Sequence, residues 1–306
     1  MLTTRVAVER TWHQSTARVM GSPGEILIDG PVDLIRFGFS RLRQLEQTWS
    51  RFLPDSELNR LQAWEGWLEC SDDLVVALQW CVRMHAETRG LFDPSIRTRL
   101  EQLGYDRTFV EIVEQSVRAA DLPEVEPAAG LEGLDISENW ARIAPGLSID
   151  LGGIGKGLAA DIVADELIAA GASSAYVSLG GDIHASGEPV DDDGWKVPLL
   201  HPITGDPVDH HALFSGALVM STVAFRRWTR DGTEHHHIID PRTGSPADTD
   251  LIAVAVADQS AARGEALAKS AIIAGSADGA ALLRSAGVKA WMISEAGVEV
   301  IDESQR

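Results

Sequence analysis

The stretch SIDLGGIGKGLAAD, residues 148–161, packs four glycines into six residues between an apolar segment and a helix-like run. It reads as a short strand, LSIDL, then a tight loop, then a helix. Glycine permits φ > 0 and removes the Cβ that keeps a ligand away, so Gly152, Gly153, Gly155 and Gly157 suit close approach of the backbone. A helix start also leaves amide N–H groups without partners and carries partial positive charge, which together favour an anion such as a phosphate. The standard phosphate loops match poorly. Gly152 and Gly157 have the P-loop spacing, but Leu158 follows where a lysine is needed. Gly155, Gly157 and Ala160 satisfy the dinucleotide variant G-x-G-x-x-A, but the next strand ends in Gly180-Gly181-Asp182 rather than on a lone acid. The plain alternative is a tight strand-to-helix turn that carries a surface lysine, Lys156.

The chain of 306 residues is 44% hydrophobic and 24% charged, enough for one large or two modest globular units with a substantial core. We expect one domain over 1–306, divisible into subdomains at about 1–145 and 146–306. A formal charge of −20 argues against nucleic acid and anionic lipid as partners, and a small anionic ligand would need its own positive pocket. Only four lysines, Lys156, Lys196, Lys269 and Lys289, stand among the 26 basic residues, so the place of each matters. Cys70 and Cys81 are too few for a disulfide framework or a zinc site and read as buried thiols. No apolar run approaches the roughly 18 residues that span a bilayer, and MLTTRVAVERTWHQST has no apolar core of a signal peptide. The expectation is a cytoplasmic protein without membrane insertion.

EILIDG reads as a strand, and Val32 to Phe52 carries Leu34, Phe37, Leu42, Leu45 and Trp49 at helical spacing. Ser71 is placed to cap the helix LVVALQWCVRMHAET, with Gly90 as its stop. Residues 124–146 read as a loop and hairpin before LSIDL. In the helix after the glycine loop, Ala159, Val163 and Leu167 share one face, with Asp161 and Asp165 on another. SAYVSLGGD reads as a strand, and 183–225 as strands and turns that include an acidic turn, DDDG. Asp258 or Ser260 can cap a helix to Ala274, Ser276 a further one, and VKAWMIS with GVEVI closes as a hairpin. The class is α+β, with helices on a mixed or mostly antiparallel sheet.

Four ordered stretches carry a family resemblance: SRFLPDSELNRLQ (50–62), GLFDPSI (90–96), SIDLGGIGKGLAAD (148–161) and HIIDPRTGSP (237–246). Weaker matches at MGSP (20–23), SLGGDI (178–183) and GEALAKSAIIAG (264–275) extend it over most of the chain. Together they resemble the ApbE family, the FAD:protein FMN transferases. The resemblance implies a T-fold-related ApbE-like domain. The implied reaction splits FAD at its pyrophosphate, passes FMN to a threonine or serine hydroxyl of a flavoprotein partner and releases AMP. It also implies that Met20, Phe52, Leu91, Phe92, Asp93, Asp150, Lys156 and Ile238 line the FAD site, with Lys156 near the phosphates. His237 is the implied proton acceptor. Its neighbours His235 and His236 read as surface or structural residues, since adjacent strand residues point to opposite faces and cannot share one metal. Asp240 is the candidate to orient His237, although Asp240-Pro241 with Thr243-Gly244 is also a turn signal.

The sequence leaves the family pattern at three places. The family's magnesium is held by a loop carbonyl, here that of Gly153, and by Asp and Thr four apart, where this chain has Glu265 and Lys269. A protonated lysine is a poor magnesium ligand, so the expectation is that Lys269 replaces the metal's charge; the alternative is an ordinary Glu–Lys pair on a helix surface. STVAF (221–225) stands where the family has a Ser-Gly pair, which bears on recognition of the acceptor, and Gln62 stands where many members have Asn. An FAD pyrophosphatase and a non-catalytic FAD-binding protein are the competing readings.

Overall fold

Eight strands follow one another in chain order across a single sheet: β1 (Trp12–Val19), β2 (Ser22–Asp29), β3 (Ser174–Leu179), β4 (Asp182–Gly187), β5 (Gly216–Thr222), β6 (Leu251–Asp258), β7 (Lys289–Ser294) and β8 (Gly297–Ile301). Every neighbouring pair is antiparallel, so the mixed-sheet option falls away. The computed structural model describes residues 10–114, 127–230 and 232–302. The start of the N-terminal stretch read above and residues 124–126 of the expected loop lie outside them.

Long insertions between consecutive strands build the rest. Between β2 and β3 come α1 (Asp33–Trp49), α2 (Asp72–Glu87) and α3 (Gly155–Ala169), and between β6 and β7 comes α4 (Ala261–Ala286). Helix α4 packs on β5 and β6, α3 on β3 and β4, and α3 on α4, so the helices cover one face. A hairpin of Trp195–Leu200 and Pro207–Leu213 covers the other, closing Trp195, Val197, Leu199 and Leu213 over Ile183, Leu218, Ala255 and Trp291. The sheet and the main core draw on both sides of residue 145.

Local signals set most boundaries. Ser71 caps α2 by accepting from the Leu74 amide, and Gly90 leaves the helix region at φ 81°. Helix α1 turns Phe39, Leu42, Leu45 and Trp49 inward, whereas Phe37, expected on the apolar stripe, is 41% exposed. Ser260 caps α4 through the Arg263 amide, and Gly275, at φ 79°, breaks that helix where two had been expected. The amide that reopens it, Ser276 N–H, donates to Asp250 at 2.9 Å. The carboxylate of Asp161 accepts from the amides of Ala261 (2.7 Å) and Ala262 (3.1 Å), pinning α3 to the start of α4. Contrary to the reading that no apolar run approaches a membrane span, helix α4 is long and apolar enough, by length and composition, to cross a membrane; it is packed against α3, β5 and β6.

The segment LSIDL forms no strand and joins no sheet. Its amides are taken otherwise: Ile149 N–H donates to the Gln62 side chain, and Asp150 N–H donates to the Pro94 carbonyl at 2.8 Å. The glycine loop is thereby strapped to the two segments that carry SRFLPDSELNRLQ and GLFDPSI.

Candidate functional site

Those three segments, the β1–β2 turn and the insertion between β5 and β6 help to enclose a cavity of about 710 Å³. Two unlike groups of side chains line it. Phe52, Tyr105 and Phe109 form one, with Phe52 and Tyr105 rings 5.9 Å apart and the Arg51 guanidinium 4.1 Å from the Phe52 ring. Lys156, Lys269, Arg226 and His237 form the other. Met20, at φ 51°, and Gly21, at φ 67°, form the β1–β2 turn, and the positive φ at both positions suits the twist of a tight hairpin. That turn carries Met20 into the cavity wall.

The sequence-selected residues converge here. Met20, Phe52, Leu91, Phe92, Asp93, Asp150, Gly153, Lys156, His237, Ile238 and Lys269 all line the cavity. Asp93 accepts from the Ser95 amide at 2.8 Å, and Asp150 accepts from the Gly152 amide at 2.7 Å and meets Arg51 at 3.2 Å. Two selected residues lie behind the wall. Glu265 is fully buried beneath the two lysines. Asp240 is turned elsewhere: its carboxylate holds Arg242 at 2.8 Å and the Arg242 amide at 2.9 Å, while the Nδ1 of His237 is buried without a hydrogen-bond partner. Asp240 therefore shapes the Asp-Pro-Arg-Thr-Gly turn and does not orient His237. His235 and His236 are both buried structural residues, the first stacked on Trp228 and the second 3.2 Å from the Ala247 carbonyl.

The floor beneath the cationic group is a charge quartet. Glu265 Oε1 accepts from Lys156 Nζ and from Lys269 Nζ, both at 2.8 Å, and Lys156 also meets Asp182. Glu265 Oε2 accepts from the Gly157 amide at 2.9 Å. Burial alone would push Lys156 down, but Asp182 and Glu265 outweigh it and hold its ammonium above the ordinary range. Lys269 goes the other way: burial and the neighbouring Lys156 lower it despite Glu265. Burial would raise Glu265, yet the two lysines bring it below the usual carboxylate range; Asp182 is raised, chiefly by burial. Burial, then Arg226 and Lys269, push the His237 ring well below the usual histidine range, so it stands neutral and able to accept a proton.

The glycines act differently from a phosphate cradle. None of the four has a positive φ. The amides of Gly152, Ile154, Gly155 and Gly157 already donate to Asp150, Leu151, Leu151 and Glu265. What the missing Cβ atoms provide is packing space. A Cβ on Gly157 would sit 2.5 Å from the Ala261 carbonyl oxygen, and one on Gly153 would sit 3.1 Å from the Phe92 ring and 3.8 Å from the Lys269 stem. The loop positions Lys156 and Phe92, and the positive charge comes from side chains.

The donor set does not suit magnesium. Both oxygens of Glu265 are occupied, and Lys269, whose stem runs past Gly153, sets an ammonium on Glu265 where a hydroxyl ligand is expected. Among the described residues, no group of three or more His, Cys, Asp or Glu is arranged to hold a metal ion. Three site residues were not selected from sequence: Arg51 and Asp182, which lie inside the quoted stretches SRFLPDSELNRLQ and SLGGDI without having been given a role, and Arg226, which directly follows STVAF.

Fold and site define an antiparallel-sheet α+β protein whose cavity is lined by both aromatic and cationic side chains. Residues 19–292 match the ApbE family, and the chain belongs to it. It is 31% identical over 274 residues to an FAD:protein FMN transferase of Treponema pallidum (strain Nichols), covering 83% of this chain and 75% of that one. It is 26% identical over 261 residues to another of Vibrio cholerae, covering 82% and 76%. Among solved structures, the ApbE protein of Thermotoga maritima has the same fold, with a TM-score of 0.82 at 21% identity over 96% of this chain and 98% of that one. The apo flavinyl transferase ApbE of Pseudomonas stutzeri gives a TM-score of 0.79 at 23% identity over 96% of each.

Proposed function

We propose that this chain is an FAD:protein FMN transferase whose acceptor is a threonine or serine hydroxyl of a partner protein. The observation that carries the reading is that Lys156, Lys269 and neutral His237 line the same cavity as an aromatic group, Phe52, Tyr105 and Phe109. A flavin nucleotide has the matching parts, rings and a diphosphate. In the reaction, the acceptor oxygen bonds to the FMN phosphorus as the pyrophosphate P–O bond breaks and AMP leaves. The hydroxyl proton passes to His237, which burial keeps unprotonated, and then to solvent. Lys156 and Lys269 offset charge on the phosphate oxygens. In family members magnesium contributes that charge; here we assign the part to the Lys269 ammonium seated on Glu265.

The test is incubation with FAD and a flavin-acceptor domain. Covalent FMN on the acceptor by mass spectrometry, with an equal amount of AMP, supports transfer. Free FMN and AMP at the same rate with or without the acceptor would mean a pyrophosphatase instead.

A further inference from the structure

The quartet beneath the cavity cancels itself: with all four groups ionised, the ammoniums of Lys156 and Lys269 balance the carboxylates of Asp182 and Glu265. Arg51, a third lining cation, is tied to Asp150. Such a floor carries two ammonium groups that can donate locally to phosphate oxygens but no net positive charge to draw a diphosphate in, and the loop amides named above already have acceptors. Two lining arginines make no ion pair among the described residues, Arg18 and Arg226. Arg18 is exposed, where water and salt screen its charge. Arg226 is half-buried, and among the described residues its one hydrogen bond is a long donation to Ser22 Oγ at 3.3 Å. That hydroxyl lies against the Gly180 turn, which in turn packs on the Lys156 stem. Its charge is felt by both Lys156 and His237.

The backbone carries a second sign. Arg226 stands at φ 48°, in the left-handed region where an arginine is strained, and such strain collects at ligand-binding positions. The strain lies in the loop between β5 and the strand Arg227–Arg230, directly after the STVAF departure.

We propose that Arg226 is the residue that gives this site its net positive charge and that its guanidinium binds the diphosphate of FAD. The inference rests on the transferase reading and adds to it the group that selects a dinucleotide over the bare flavin. A planar guanidinium suits two phosphate oxygens at once, and it is free to turn from Ser22 to the ligand.

The experiment is calorimetric titration of the full chain with FAD, ADP and riboflavin, for the unaltered protein and for Arg226→Gln, Arg226→Lys and Arg226→Gly. Arg226→Gln should weaken FAD and ADP about 10- to 100-fold, the range of one charge-assisted hydrogen bond, and leave riboflavin unchanged. Arg226→Lys should recover part of the loss. Arg226→Gly relieves the backbone strain, so it should keep or raise the melting temperature while losing FAD affinity. Unchanged FAD and ADP affinity in Arg226→Gln and Arg226→Gly would overturn the inference alone. Equal losses for FAD and riboflavin would also overturn it, by making Arg226 a structural residue. An unaltered protein that binds riboflavin as tightly as FAD would take down the transferase reading and this inference together.

Discussion

Lys269 Nζ lies 2.8 Å from Glu265 Oε1, a bond within one helix turn whose acceptor is fully buried and whose donor lines the cavity. An ordinary surface pair at this spacing is exposed on both sides and contributes a few tenths of a kcal/mol, roughly. This one shares its carboxylate with Lys156 and leaves no oxygen for a cation. FAD binding and AMP release should therefore survive EDTA and respond little to added magnesium. The double change Glu265→Asp with Lys269→Thr should introduce saturable magnesium binding, readable by titration without turnover. Loss of FAD affinity on chelation from the unaltered protein would refute the assignment.

Removing Glu265's charge should cost more than removing a surface pair. Glu265→Gln leaves two ammonium groups facing each other in a buried setting, and breaking a buried pair from one side costs about 3–5 kcal/mol. A clear fall in melting temperature is expected. Lys269→Met, which leaves Glu265 paired with Lys156, should fall less. Equal stability of the Glu265→Gln and unaltered proteins would mean the quartet is solvated.

His237→Ala should retain FAD and lose about 10²- to 10⁴-fold in turnover, the usual contribution of a positioned proton acceptor. The pH profile tests the same residue independently. Activity needs the neutral ring, and a lowered pKa delays protonation to lower pH. AMP release should therefore persist as pH falls through about 6.5, where an ordinary histidine takes up its proton. A limb centred near that value would show a solvated His237.

Much of this site was legible because its parts are local. His237-Ile238 and Leu91-Phe92-Asp93 reach the cavity as short runs fixed by their own turns, and Ser71 and Ser260 announce their helices by capping. Where tertiary partners decide, the sequence misleads. LSIDL alternates like a strand, but Gln62 and Pro94 take its amides before any ladder can form. Asp240 sits three residues from His237 and still belongs to Arg242. Arg226 has no motif at all: its importance lies in the acids it does not meet, and that depends on every other chain segment around it.

Gly157 offers the sharpest test of what the glycine loop is for. If the loop were a phosphate cradle, a methyl group at any of its glycines would chiefly weaken ligand binding. The packing predicts a graded series instead. A Cβ at Gly157 would meet the backbone of α4, 2.5 Å from the Ala261 oxygen and 2.8 Å from the Ala262 nitrogen, where nothing can rotate away. The two helices must separate, and the separation pulls the Gly157 amide from Glu265, unseating both lysines. Gly157→Ala should thus lose stability by about 1–3 kcal/mol or more, as overpacked sites do, and lose FAD affinity with it. A Cβ at Gly152 would meet only the Asp150 side chain at 3.0 Å, and one at Gly153 the edge of the Phe92 ring at 3.1 Å. Gly152→Ala should be nearly neutral, and Gly153→Ala should narrow the cavity, reducing FAD affinity more than melting temperature. The order to look for in thermal unfolding is Gly157→Ala well below Gly153→Ala, with Gly152→Ala closest to the unaltered protein; equal melting temperatures with equal losses of FAD affinity would restore the phosphate cradle.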